Sequence, residues 1–282
     1  KHLSSRGFHL KTKVIASYIF LCIIWGTTWI ILKKSLIDGT PPFLGAGIRF
    51  LIAGLTLWLF IFYKKNLPPF SKLAIKIYFQ FGIMNLAISY GLTYWATQYI
   101  YSSLSSIIWS GFPITVAVFS YFMLGNEVIT KKKIISLIIG TIGTLFILSD
   151  NINLSGEKIG AGIAIVILAV IISSYPTVYL KKYNVNISSI HINAVSQTIA
   201  GLLLLLVSYF TESNQKMNWS NYNIFALFYL TVPGSLIAWS LYVWLYSYIS
   251  IYQISYIAFF PPLIASTLGW LILKEELSLI TI

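Results

Sequence analysis

Nine long apolar stretches separated by short polar linkers constrain the fold of this chain more than any other feature. A helix needs about 20 mostly apolar residues to cross a bilayer, whereas a strand of a membrane barrel needs only about 10 alternating ones. The length and continuity of the stretches therefore predict helices, and only the fifth is short. We name them α1 to α9 and predict them at Val14–Leu32, Pro42–Tyr63, Leu73–Ala96, Tyr101–Leu124, Ile134–Ser149, Ile159–Leu180, Ile190–Phe210, Ile224–Tyr246 and Ile249–Leu273.

The composition places these helices in a lipid bilayer. Of the 282 residues, 57% are hydrophobic and only 9% are charged, whereas soluble domains have about 25% charged residues. The net charge of +12 does not indicate a nucleic-acid partner, because the basic residues form short clusters between apolar stretches. The lone cysteine, Cys22, excludes an intramolecular disulfide. We expect a multi-pass protein of the cell membrane that contacts lipid and has no cofactor or metal.

The second half of the chain repeats landmarks of the first half. A shift of 148 residues places Pro113 on Pro261 and Glu127 on Glu275, and it also aligns the paired lysines at the ends of α1 and α6. A shared register that joins helix ends, a proline and a loop glutamate is typical of an internal duplication.

A duplicated unit of five helices has consequences for topology. Since five is odd, the second copy must cross the membrane in the opposite direction. We therefore predict an all-α membrane protein of two inverted five-helix repeats, residues 1–149 and 150–282. The partner of α5 would begin near residue 282, and we expect a tenth helix of about 20 residues just beyond it.

The basic residues indicate the orientation of the repeats. Lys64, Lys65 and Lys72 lie between α2 and α3, whereas Lys216 is the only basic residue between α7 and α8. Because lysine and arginine concentrate in cytoplasmic loops, this difference predicts a cytoplasmic N-terminus. Lys33–Lys34, at the outer end of α1 in this orientation, does not follow the rule.

Several short motifs follow one another along the chain. They are Trp25–Trp29 in α1, Arg49–Phe50 in α2, Pro113 with Leu124–Glu127, Ile139–Gly143 in α5, and Pro261 with Leu273–Glu275. With these motifs the chain resembles the EamA-type, ten-helix members of the drug/metabolite transporter superfamily. The resemblance covers Val14 to Leu277. It implies a basket of helices around a central cavity lined mainly by α1, α3, α4, α6, α8 and α9, which works by alternating access. Similar members export amino acids, metabolites or toxic compounds.

Aromatic residues at helical spacing mark the candidate substrate site. The lipid-facing side of a membrane helix is apolar, so polar and aromatic groups in mid-helix indicate an inner face or packing between helices. The candidates are Trp25, Trp29, Tyr90, Tyr94, Trp109, Tyr175, Tyr179, Trp239, Tyr242 and Tyr246. A cavity with such walls suits a cation or a partly apolar zwitterion, through stacking and cation–π contacts.

Arg49 is the charged residue that lies well inside a predicted helix. It could bind a substrate carboxylate or phosphate, or it could be a structural arginine that reaches the interface or a backbone carbonyl. No Asp or Glu falls in mid-membrane, so the sequence favours exchange or facilitated efflux over proton-driven transport. Pro113 and Pro261 interrupt the backbone hydrogen bonds at matching positions, and we predict that they act as hinges.

These observations predict a transporter that exports or exchanges amino acids or similar zwitterionic or cationic compounds. A lipid or lipid-precursor flippase and a non-transporting membrane receptor are the alternatives. An intramembrane enzyme is not favoured, because the chain has no metalloprotease or nucleophile-elbow motif and no paired mid-membrane carboxylates.

Overall fold

The computed structural model describes residues 2–125, 135–136, 138–140, 142, 158–183 and 187–273. Within these residues, eight helices are long and apolar enough to cross a membrane. They are α1 (Leu10–Ile37), α2 (Pro42–Lys64), α3 (Lys72–Thr97), α4 (Ser102–Leu124), α6 (Ile159–Tyr183), α7 (Ser189–Thr211), α8 (Asn221–Leu245) and α9 (Ile251–Ile272). The prediction of an all-helical, multi-pass fold is confirmed. The described residues of α5 are helical, while most of α5, Glu127, Glu275 and the lysine cluster before α5 lie outside the described residues.

Helices α3 and α8 each contain a segment of π-helix that the sequence analysis did not predict. These segments span Phe81–Ser89 and Val232–Ile237. They end at equivalent positions, since Ser89 and Ile237 are 148 residues apart. Pro233 removes a backbone donor in the second segment. π-Turns inside α-helices are frequent at functional sites, because they change the direction in which side chains project.

Helices α4 and α9 are interrupted at matching places. Helix α4 consists of Ser102–Trp109 and Phe112–Leu124, with a turn between them. In α9 the short helix Ile251–Ser255 continues as a 3₁₀ turn, and an α-helix resumes at Pro261. Pro113 and Pro261 both stand at the start of the second part, where a proline has no backbone bond to remove. The prediction that these prolines interrupt the hydrogen bonds within a helix is therefore wrong, whereas their role as hinges stays a prediction. The matched interruptions and π segments support our proposal of two repeats at residues 1–149 and 150–282.

Helices α2 and α7 form an antiparallel pair with close backbones. Gly47 faces Leu205 and Gly54 faces Thr198, so residue numbers rise along one helix as they fall along the other. Glycine lets membrane helices approach closely. The direction of this pair is the one expected for equivalent helices of two inverted repeats.

A carboxylate of one repeat caps a helix of the other. The two carboxylate oxygens of Glu212, which follows α7, each accept a hydrogen bond of 2.9 Å, one from the amide of Phe43 and one from that of Leu44. Ser208 Oγ also donates to this carboxylate at 2.7 Å. The first amides of a helix have no partner within the helix and lie at the positive end of its dipole. The buried Glu212 therefore fixes the start of α2.

The remaining helices form two assemblies that exchange helices between the repeats. Helix α1 packs against α8 and α9, while α6 packs against α3 and α4. A hydrogen bond of 2.7 Å between the hydroxyls of Thr27 and Tyr229 joins α1 to α8. Ser89 Oγ donates to the carbonyl of Ala169 at 2.8 Å and joins α3 to α6. We call these groups the α1 assembly and the α6 assembly.

Candidate functional site

A cavity lies between the two assemblies, with about 800 Å³ of empty space including its opening. Its walls come from α1, α8 and α9 on one side and from α3, α4 and α6 on the other, with α2 contributing one residue. The lining residues are Trp25, Thr28, Trp29, Leu32, Arg49, Asn85, Tyr90, Thr93, Tyr94, Trp109, Phe112, Ser173, Trp239, Tyr242, Ile254, Ser255, Ile257, Ala258 and Pro261.

Trp239 is the centre of the aromatic wall. Its ring centroid lies 5.3 Å from that of Trp25, 5.2 Å from Tyr242 and 5.7 Å from Tyr90, all in edge-to-face geometry. Such pairs contribute about 0.5–1.5 kcal/mol each beyond the area that they bury. Because the rings brace one another, the wall presents defined ring faces and edges to the cavity.

The opposite wall carries neutral polar groups. Ser173 Oγ in α6 donates to Asn85 Oδ1 in α3 at 3.0 Å, and Asn85 Nδ2 donates to Thr177 Oγ1 at 3.4 Å. Asn85 and Ser173 both line the cavity and are buried. These bonds fix the orientation of the amide, and they also hold α3 and α6 together.

Arg49 brings a positive charge into the cavity wall. Its side chain is only 3% exposed. Nε donates to Ser235 Oγ at 2.5 Å, Nη1 donates to the Tyr94 hydroxyl at 2.7 Å, and Nη2 donates to the carbonyl of Gly234 at 3.0 Å. All three acceptors are neutral.

Three aromatic rings surround the same guanidinium. Its central carbon lies 5.1 Å from the ring centroid of Phe50, 5.5 Å from that of Tyr90 and 5.9 Å from that of Tyr94. Arginine stays protonated in proteins, so these contacts surround a permanent charge. Both sequence-based interpretations of Arg49 fit this position, because it binds a backbone carbonyl and also faces the cavity.

The structure brings most of the predicted site residues together. Trp25, Trp29, Tyr90, Tyr94, Trp109, Trp239 and Tyr242 line the cavity, as do Arg49 and Pro261. Their helical spacing put them on common faces, and those faces meet at the cavity.

Three predicted tyrosines and one predicted hinge do not line the cavity. Tyr175 packs against Phe119, and Tyr179 packs against Tyr183. Ser173 is the α6 residue that reaches the cavity; Tyr175 is two residues further on, which is about 200° around the helix. Tyr246 lies behind Tyr242, with ring centroids 5.3 Å apart, and Pro113 does not reach the lining.

Sequence reasoning missed several lining residues. Thr28 and Leu32 could have been found, because they follow Trp25 at i+3 and i+7 on one helix face. Asn85 lies five residues before Tyr90, a spacing that the π segment of α3 brings onto one wall. Ile257 and Ala258 lie in the 3₁₀ turn of α9, where helical spacing gives no guide. Within the described residues, no group of three metal-ligating side chains occurs.

The sequence profile of EamA-like transporters matches residues 12–149 and again residues 160–282. The chain belongs to the EamA-like transporter family. It is therefore a multi-pass membrane transporter of small metabolites, and the predicted family is confirmed. The double match divides the chain as the internal repeat does.

Several relatives that match this chain over most of their length are named as transporters. An "uncharacterized transporter" of Buchnera aphidicola subsp. Schizaphis graminum is 30% identical over 273 residues, which are 95% of this chain and 89% of that protein. The "uncharacterized transporter YvbV" of Bacillus subtilis is 30% identical over 95% of this chain and 87% of its own length. An S-adenosylmethionine/S-adenosylhomocysteine transporter of Chlamydia muridarum is 28% identical over 92% of this chain and 84% of its own length.

A solved crystal structure has the same fold. It superposes with a TM-score of 0.75 over 96% of this chain and 91% of that chain, at 15% sequence identity. At this identity the likeness concerns the fold alone.

Proposed function

We propose that this transporter carries small zwitterionic metabolites, namely amino acids or their derivatives, by alternating access through the aromatic cavity. The observation that carries the proposal is the buried charge of Arg49, whose hydrogen-bond partners are all neutral. An ion moved from water into a protein interior retains a penalty of several kcal/mol unless it is compensated. A substrate carboxylate would supply the missing negative charge.

The geometry of the guanidinium fits a carboxylate. Arginine has five N–H donors, and three are used in the hydrogen bonds to Ser235, Tyr94 and Gly234. One donor remains on each terminal nitrogen, and a carboxylate accepts two parallel bonds from such a pair.

The aromatic wall supplies the other half of a zwitterion site. The faces of Trp and Tyr rings attract ammonium and related cations by about 0.5–2 kcal/mol each. Tyr90 contacts both the Arg49 guanidinium and the Trp239 ring, so the anionic and cationic subsites are adjacent. The relative named for S-adenosylmethionine and S-adenosylhomocysteine is consistent with this class, because both compounds contain an amino acid group.

The lining favours exchange or facilitated efflux. Among the described lining residues there is no Asp or Glu that could carry a proton. The buried carboxylate of Glu212 lies instead at the start of α2, where backbone amides bind it. The substrate itself would then compensate Arg49 in each crossing.

Counterflow in proteoliposomes tests the proposal directly. Liposomes loaded with an unlabelled candidate should accumulate the labelled compound, with amino acids and S-adenosylmethionine as the first probes. The decisive comparison uses each active acid against its primary amide and its decarboxylated amine. Both analogues lack the carboxylate. We expect them to compete with the labelled substrate at least about tenfold more weakly than the acid does, because a hydrogen bond to a charged group contributes about 1.5–3 kcal/mol.

Variants of the site complete the test. Arg49→Gln should abolish counterflow, while Trp239→Phe should weaken it and retain the fold. Equal competition by acids and amides would contradict the carboxylate subsite. Translocation of a fluorescent phospholipid by folded protein, without counterflow of any probe, would replace the proposal with a flippase.

A further inference from the structure

Two lysines at equivalent positions of the repeats bind the ends of two helices. Lys33 Nζ, near the end of α1, donates to the carbonyls of Thr97 and Gln98 at 2.9 and 3.1 Å. Lys181 Nζ, near the end of α6, donates to the carbonyls of Tyr246 and Ile249 at 2.6 and 3.1 Å. The shift of 148 residues places Lys33 on Lys181.

The same shift relates one acceptor of each lysine. Gln98 falls on Tyr246, so equivalent lysines bind equivalent carbonyls at the ends of α3 and α8. The last four carbonyls of a helix lack partners within the helix and form the negative end of its dipole. A lysine side chain near a helix C-terminus compensates both. This contact also accounts for Lys33, which lies at the outer end of α1 in the predicted orientation. The concentration of basic residues in cytoplasmic loops does not predict a lysine there.

Each lysine connects the two assemblies that face each other across the cavity. Lys33 belongs to the α1 assembly and binds α3, a member of the α6 assembly. Lys181 belongs to the α6 assembly and binds the end of α8, a member of the α1 assembly. Between these bonds lies the cavity that both assemblies line, and α4 packs against α9 at its side.

The two connections lie at opposite ends of the cavity. Helices α3 and α6 are antiparallel, because Ser89 bonds to Ala169 whereas the earlier Asn85 bonds to the later Thr177. The end of α6 therefore lies beside the first half of α3, away from Thr97. One lysine connects the assemblies at each side of the membrane.

We propose that Lys33 and Lys181 are the latches of two gates, which open in alternation at the two ends of the cavity. This inference rests on the proposed alternating access. Opening at the Lys33 end separates α1 from the end of α3 and breaks the bonds to Thr97 and Gln98, while the bonds of Lys181 persist. Opening at the other end does the reverse. Removing one ammonium shifts the equilibrium toward the conformation that is open at that end.

The neighbouring lysines provide matched controls. Lys34 Nζ lies 4.4 Å from the ring centroid of Tyr222 in α8, within the α1 assembly. Lys182 Nζ lies 5.2 Å from the ring of Tyr183 on its own helix. These contacts do not cross the cavity, and the two lysines are again related by 148 residues. Their substitution removes the same charge from the same end of the molecule without releasing a latch.

Labelling of one cavity cysteine from each side of the membrane tests the latches. The reporter is Ala258→Cys in a Cys22→Ala background, since Ala258 is a small residue of the cavity lining. It is combined with Lys33→Met, Lys181→Met, Lys34→Met or Lys182→Met; methionine retains an apolar chain without the ammonium. A membrane-impermeant maleimide is applied to right-side-out and to inside-out vesicles, with and without the substrate found by counterflow.

We expect Lys33→Met to raise the labelling rate about tenfold from the side where α1 ends, since a hydrogen bond to a charged group contributes on that order. Lys181→Met should raise it from the opposite side, and the two controls should label like the parent. Lysine variants that label like their controls, or that increase labelling from both sides equally, would overturn the latches. If the maleimide labels the reporter cysteine from one side alone in every variant, and substrate does not slow this labelling, alternating access itself would be overturned.

Discussion

Replacement of Gly201 by alanine should separate α2 from α7. A Cβ added to Gly201 would lie 2.5 Å from the backbone nitrogen of Leu51 and 2.7 Å from its Cα, whereas ordinary contacts begin at 3.4 Å. The nearest atoms belong to the backbone, so no rotamer change can make room. The helices must therefore move apart by about 0.9 Å, the difference between 3.4 and 2.5 Å. That movement loosens the neighbouring contacts of Gly54 and Gly47.

The size of the effect follows from two opposing contributions. Extra volume in a tightly packed site costs about 1–3 kcal/mol, while alanine gains up to about 1 kcal/mol over glycine inside a helix. Gly160, near the start of α6, has no heavy atom within 4 Å of an added Cβ. Gly160→Ala should therefore leave stability unchanged or raise it slightly. The difference between the two variants isolates the cost of packing.

Thermal unfolding in detergent, followed by the fraction of protein that remains monodisperse, provides the assay. With about 2–4 °C per kcal/mol for a protein of this size, Gly201→Ala should unfold about 2–12 °C below Gly160→Ala. Equal midpoints for the two variants would refute the close approach of α2 and α7.

Three further predictions concern individual residues. Glu212→Gln should lower the free energy of unfolding by about 2–3 kcal/mol in the same assay, because a neutral amide oxygen replaces a carboxylate that binds two backbone amides. The control is Lys216→Gln in the same linker, which should have no effect. Tyr94→Phe should reduce counterflow only in part, whereas Arg49→Gln should abolish it, because Tyr94→Phe removes one acceptor from the guanidinium and leaves the charge. An equal loss of counterflow in the two variants would contradict the charge-based role. Pro113→Ala and Pro261→Ala should slow turnover several-fold more than they raise KM, as expected where conformational steps limit the rate; equal changes in both would count against their role as hinges.

The sequence alone determined the helices, the family and most of the aromatic site. Apolar length fixes where a membrane helix can lie, because unpaired backbone groups are not tolerated in lipid. The predicted ends of α2 and α4 lie within one residue of those in the structure. Repeat register and short motifs identified the family, and helical spacing placed Trp25 with Trp29 on the face that lines the cavity. All of these features depend on residues that are close in sequence or on the comparison of the two halves.

Only the tertiary structure decided how the helices are rotated and where they are interrupted. Spacing relates residues within one helix, but the direction in which a helix faces depends on what packs against it. For this reason Tyr175 and Tyr179 lie outside the cavity although they are aromatic and lie within a membrane helix. The π segments of α3 and α8 rotate the residues that follow them around the helix axis, relative to the spacing of a regular α-helix. In α3 this brings Asn85 and Tyr90 onto one wall of the cavity. The bonds from Lys33 to the end of α3, more than 60 residues away, arise because two distant helix ends meet, and no local pattern encodes that meeting.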